Sequence, residues 1–184
     1  MGMKTIRIAA AILPFLFAAG AARADVKSSA PGGFEVTETV AIKAPAKRVY
    51  AALGKIGKWW SSKHTVTGNA ANMFLDLGIK GCFCEKGPDG VQRQHMTVVD
   101  VAPEKQVRLR GGLGPLQAMG IEGALTWTIK PTDGGVSFTQ AYNVGGYAPG
   151  GLDMIAPHVD EVLHEQLTRF KSFVETGSPE NQTK

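Results

Sequence analysis

The 184 residues carry 20 Lys and Arg against 16 Asp and Glu, a net charge of +4. Three of the bases (Lys4, Arg7 and Arg23) and none of the acids fall in the first 24 residues, so the remainder holds 17 against 16, net +1. That balance, with no basic stretch interleaved with aromatics, excludes nucleic acid as an expected partner, and the chain beyond residue 24 is long enough for one domain with a real core.

The N-terminus reads MGMKTIRIAAAILPFLFAAGAARADV. A basic start, an apolar run from Ile8 to Ala19 and the small-x-small pattern Ala22-Arg23-Ala24 together make a secretory signal peptide over residues 1–24, with cleavage expected after Ala24. The apolar run falls short of the roughly 20 residues a bilayer span needs. No stable membrane span is therefore expected after cleavage, and the expected location is a bacterial periplasm, where disulfides persist.

Residues 25–33, DVKSSAPGG, read as a flexible polar linker. From Phe34 to Ile42 apolar residues alternate with polar ones, a strand pattern that places Glu38 on the apolar face. Pro45 suits the first turn of a helix carrying Val49, Ala52, Leu53 and Ile56; Gly54 and Gly57 split it into two short pieces that end at Trp59-Trp60.

Short strands follow. GCFCEK and VQRQHMTVVDV flank GPDG, and IEGALTWTIKP and GVSFTQAYNV flank TDGG, so both read as hairpins. Apolar residues then recur at three- and four-residue steps from Leu152 to Val174, a long helix with Pro157 near its start and Gly177 as its stop. The final residues, 178–184, read as a disordered tail. An antiparallel sheet with one apolar face needs a cover, and the long helix is the element large enough to supply it, which makes an α+β domain over 34–177.

The segments VTETVAIKAPAKRVYAAL, MTVVDVAPEKQVRLRG, GALTWTIKPTDGGVSFTQAYNVGG and VDEVLHEQLTRFKSFVETG, in that order, resemble the helix-grip fold of the START-like (SRPBCC) superfamily across residues 34–176. Its relatives include polyketide cyclases and dehydrases, lipid-transfer domains and chaperone-ATPase activator homologues. The resemblance implies a curved antiparallel sheet of about six to seven strands wrapped around the long helix, two short helices after the first strand, and a cavity for an apolar ligand.

Strand parity sets the expected cavity lining. Val136, Phe138, Gln140, Tyr142 and Val144 share one face, and Leu125, Trp127 and Ile129 share another. A four-residue GPDG loop would pair Lys86 with Val91, Cys84 with Arg93 and Cys82 with His95, putting both cysteines, Arg93 and His95 on one inward face. Four readings of the cysteines then compete: a Cys82–Cys84 disulfide, a zinc or copper site with His95, a Cys–His nucleophile, and plain structural packing, which is favoured. Trp60 and His64 rim the expected entrance, the glycine-rich GGLGPLQAMG suits a flexible lid, and Tyr147 and Met154 stand at the mouth beside His158.

These residues support a periplasmic binding protein for a small apolar or amphipathic molecule. Its expected ligand-binding set is Trp60, Cys82, Cys84, His95, Trp127, Gln140, Tyr142, Tyr147 and Met154, with no cofactor and no resident metal. The alternatives are a cyclase- or dehydratase-type enzyme with His95 as general acid or base and Tyr142 or Glu38 as its partner, and a protein-interaction module.

Overall fold

The alternating pattern of the first strand is the pattern of a sheet with one buried face, and the structure builds it that way. In a computed structural model that describes residues 26–180, Gly33–Ile42 forms β2, with Phe34, Val36, Glu38 and Ile42 buried. A strand precedes it: Val26–Ala30 is β1, antiparallel to β2 around a Pro31-Gly32 turn. This corrects the linker expectation for that stretch. Its polar sequence gives no alternation, but an edge strand needs little: Val26 packs against the core and Lys27 bridges Glu35 at 2.9 Å. The signal-peptide expectation lies outside the described residues.

Helix α1 spans Ala46–Leu53 and turns Val49, Ala52 and Leu53 inward. The helix ends at Gly54, and Gly57 is glycine for a steric reason: a Cβ there would lie 2.7 Å from the Met73 carbonyl oxygen and 2.8 Å from that of Ala70. The chain then runs through 3-10 turns at Ile56–Lys58, Ser62–His64 and Ala70–Asn72 into the short strand β3, Met73–Leu75. Three long strands and two shorter ones follow: β4 (Cys82–Lys86), β5 (Gln92–Ala102), β6 (Gln106–Gly111), β7 (Glu122–Thr132) and β8 (Gly135–Gly145). The four-residue helix α2, Pro115–Ala118, sits between β6 and β7. Helix α3 runs from Ala156 to Thr176, and Gly177 caps it in the left-handed conformation with its N–H on the Phe173 carbonyl.

Among the described residues the sheet has eight antiparallel strands in the order β1-β2-β8-β7-β6-β5-β4-β3. The domain is a helix-grip α+β fold, with slightly more strands than expected because of the edge strand β1. Its core lies between sheet and α3. Phe138 and Phe170 meet with ring centroids 4.9 Å apart, and Trp59 packs on Phe170 at 4.9 Å and on Trp127 at 6.5 Å. Each such fully buried side chain contributes roughly 1.5–3 kcal/mol. The tail also departs from expectation: Arg169 bridges Glu180 at 2.9 Å and the Ser172 hydroxyl donates to the Glu180 carbonyl, so residues 178–180 fold back on α3. No helix among the described residues is long and apolar enough to cross a membrane.

Candidate functional site

A cavity of about 510 Å3 opens beside the β4–β5 hairpin, under α2 and the N-terminal half of α3. Its position follows from how the helix lies on the sheet. The C-terminal half of α3 carries Leu167, Phe170 and Val174 into the core, whereas its first turns leave Val159 and Val162 only half-buried against open space, with Leu163 at the cavity's deep end. Phe83, Met73 and Trp60 form the opposite wall, and Leu116 of α2 closes the roof. The glycine-rich segment thus contains a short helix that covers the cavity, held by a hydrogen bond from the Gln117 side-chain amide to the Gln94 carbonyl.

The hairpin does not take the expected register. Lys86 pairs with Gln92, Glu85 with Arg93 and Cys84 with Gln94, around a five-residue connection closed by the Gly87 N–H on the Val91 carbonyl. A bulge then intervenes. Phe83 pairs with Met96 and Cys82 with Thr97, so His95 is the extra residue, and it points inward beside Met96. Phe83, Glu85 and His95 therefore share the buried face. Cys82 and Cys84 lie on the outer face of β4, bonded to each other as a disulfide with Cα atoms 5.3 Å apart. They pair with Thr97 and Gln94 rather than with His95, whose ring packs on the inward Phe83. The expected inward grouping of Cys82, Cys84, Arg93 and His95 is corrected for the cysteines alone: Arg93, paired with Glu85, still lines the cavity with His95.

Glu85 has no solvent exposure. Its carboxylate accepts from the Val66 N–H at 3.0 Å and the Thr67 N–H at 2.6 Å, and lies 3.3 Å from His95 Nε2. Burial alone would raise its pKa, but hydrogen bonds from Thr67, Val66 and His95 outweigh burial and hold the carboxyl below its ordinary value. An ionised Glu85 makes Nε2 the donor. Burial pushes His95 below its ordinary pKa, against the pull of Glu85 and with help from the Arg93 charge. The result is a neutral imidazole that lines the cavity and whose Nδ1 makes no hydrogen bond among the described residues. His95 packs on Phe83 at 5.4 Å, Phe83 on Trp60 at 5.4 Å, and Trp60 on Trp59 at 5.7 Å, so a line of rings joins the site to the core.

Of the residues singled out from sequence, Trp60 and His95 line the cavity, as do His64 and His158 of its rim. Trp127, Gln140 and Tyr142 are buried elsewhere. Trp127 Nε1 donates to Gln140 Oε1 at 3.0 Å and Gln140 Nε2 donates to the Leu163 carbonyl at 3.1 Å, tying the sheet to α3. The Tyr142 hydroxyl donates to the Gly111 carbonyl and accepts from the Leu113 N–H, both at 3.1 Å, anchoring the base of the roof segment. Burial pushes that phenol up to about 12, opposed by the Leu113 N–H and aided by Glu122. Glu38 sits under α3, 2.9 Å from His164 Nδ1; burial raises its pKa, opposed by His164 and reinforced by Asp160. Tyr147 and Met154 are largely exposed and are not in the cavity wall. Sequence reasoning missed Phe83 and Glu85, whose alternation within CFCEK was the available signal.

The polyketide cyclase / dehydrase and lipid transport family model matches residues 33–175. The chain belongs to this family. A conserved protein of unknown function from Enterococcus faecalis has a similar fold, with a TM-score of 0.58 at 17% identity, covering 86% of this chain and 82% of that one. A protein from Nitrosomonas europaea is similar at TM-score 0.54 and 13% identity, covering 78% and 96%. A protein of the dynemicin biosynthetic locus is similar at TM-score 0.54 and 18% identity, covering 79% of this chain and 48% of that one. No curated protein matches the sequence. At these identities the structural likenesses speak to the fold, a curved sheet around a long helix.

Proposed function

We propose that this family member is an exported, periplasmic binding protein that holds a small apolar or amphipathic molecule between its sheet and the N-terminal half of α3. The observation that carries this reading is the cavity of about 510 Å3. Pockets of a few hundred cubic ångströms bury most of a small ligand. Its deep wall is built from the buried side chains of Met73, Phe83, Leu116 and Leu163, so transfer of apolar surface from water supplies the affinity, at roughly 25 cal/mol per Å2. Trp60 stacks its ring in the wall while its indole N–H is already engaged by the His64 carbonyl at 3.0 Å, which leaves an apolar contact surface.

Native mass spectrometry of protein recovered from the periplasm, paired with a denatured run, tests this. Extra mass that is lost on denaturation is the expected result, with a polypeptide that begins at Asp25. Bare protein that retains no apolar probe in solution overturns the binding reading, and a chain recovered with residues 1–24 intact overturns the export reading.

A second reading is favoured by one observation, the Glu85–His95 pair in the cavity wall, whose Nδ1 makes no hydrogen bond among the described residues. A carboxylate behind a neutral imidazole is the arrangement of a general base. On this reading the chain turns over a carbonyl compound of the cyclase or dehydratase type, and His95→Gln abolishes turnover while leaving binding intact. If a broad carbonyl panel yields no turnover with the unmodified protein, this second reading is rejected.

A further inference from the structure

Charge is distributed unevenly along the depth of the cavity. The buried wall carries no charged group: Met73, Phe83, Leu116 and Leu163 are apolar, and the His95 ring among them is neutral. Two fixed cations, Lys63 from the 3-10 turn after Trp60 and Arg93 from β5, are exposed and also line the cavity, which places them at its mouth. No aspartate or glutamate is among the lining residues.

The nearest carboxylates are turned away and already occupied. Glu85 lies behind His95 and accepts from two backbone N–H groups. Glu165 bonds His64 Nε2 at 2.9 Å and is further held by Ser61, with the Lys63 charge acting on it. Lys63 and Arg93 themselves make no hydrogen bond or ion pair among the described residues. Such cations beside a low-dielectric wall attract a negative charge more strongly than isolated surface cations do.

We infer that the ligand is an anionic amphiphile: an apolar body that enters first, with one negatively charged head held at the mouth by Lys63 and Arg93. This rests on the binding reading above and narrows it to a chemical class. A cationic amphiphile meets like charge at the mouth, a neutral alcohol gains nothing there, and a small inorganic anion leaves the apolar wall wet.

The test is displacement of the neutral fluorescent probe N-phenyl-1-naphthylamine by decanoate, decanol and decyltrimethylammonium, all below their micellar concentrations. Decanoate is expected to compete about tenfold better than decanol, which corresponds to two partly screened ion contacts, with the cation weakest. The advantage should shrink at high salt. It should vanish in K63Q/R93Q, where decanoate and decanol should compete alike, and persist in K63R/R93K. Equal competition by all three amphiphiles, or an advantage that survives in K63Q/R93Q, overturns the inference while the binding reading stands. If neither the probe nor any amphiphile binds, by fluorescence or by calorimetry, both fall together.

Discussion

Glu85→Gln is the substitution on which the reasoning about the site turns. The wild-type carboxylate satisfies three donors with two oxygens: Oε1 accepts from the Thr67 N–H at 2.6 Å, and Oε2 from the Val66 N–H at 3.0 Å and from His95 at 3.3 Å. Glutamine fits the same space but has one oxygen. Whichever way its amide is turned, an NH2 group faces a backbone N–H in the interior, and that donor is left without a partner. One unsatisfied donor costs about 1–3 kcal/mol, and the remaining bonds lose their charge assistance. A total near 3 kcal/mol follows. For a domain of this size each kcal/mol moves Tm by about 2–4 °C, so the drop should be about 6–12 °C. The pH dependence has a definite sign. Glu85 is more acidic when folded than when unfolded. Its contribution is therefore complete above the unfolded value of about 4.3 and is lost as pH falls through the lower folded value. Thermal melts of both proteins at pH 7 and in steps toward pH 3 should show the gap closing in acid. A gap under about 2 °C at pH 7, or one that stays constant into acid, would refute the account of how the Val66–Thr67 segment is held.

Glu38 should behave in the opposite sense. Burial raises its pKa, so ionisation at neutral pH opposes folding; Glu38→Gln should raise Tm at pH 8, and the gain should disappear near pH 4, where the folded protein holds the proton. Gln140→Leu strips both the Trp127 indole N–H and the Leu163 carbonyl of their partner and should cost about 2–3 kcal/mol in urea unfolding. Replacing Cys82 and Cys84 together by serine opens a very short loop on the outer face of β4. It should cost about 1.5 kcal/mol and leave probe binding within twofold, whereas a larger loss of binding would place the disulfide in communication with the cavity.

The sheet centre was legible from sequence because its strands have one job. In β8 the residues from Val136 to Val144 alternate without interruption, and every second one is buried in the structure. The long helix was legible for the same reason, its apolar stripe closing at Gly177. The β4–β5 hairpin was not. The GPDG connection is one residue longer than the turn signal implies, and the bulge at His95 adds a second shift. Nothing in the local composition marks either event, because a bulge is selected by what its extra residue reaches, here Glu85, from a different strand. The longer connection alone pairs Cys84 with Gln94 and so turns both cysteines to the outer face, and the bulge keeps His95 inside with Arg93. Val26–Ala30 escaped notice because an edge strand with four exposed residues has no periodicity to read.

The polar residues picked out in the sheet centre also show why burial alone does not locate a site. A polar group beneath a packed helix has to find its partner within the chain, since leaving it unpaired costs more than a typical hydrogen bond returns. Gln140 and Tyr142 obey this: every polar contact they make is to Trp127, Leu163, Gly111 or Leu113, and nothing remains for a ligand. Their work is to fix α3 and the base of the roof segment. Polar capacity is left over where α3 no longer meets the sheet, and there the chain places an imidazole with one nitrogen engaged by Glu85 and the other bare. The cavity is thus defined by what the helix leaves uncovered. Filling it from the helix side, with Val162→Trp, should abolish probe binding with little loss of stability, because Val162 is only half-buried and the added ring enters space that is already open; a protein that still binds the probe would place the ligand elsewhere.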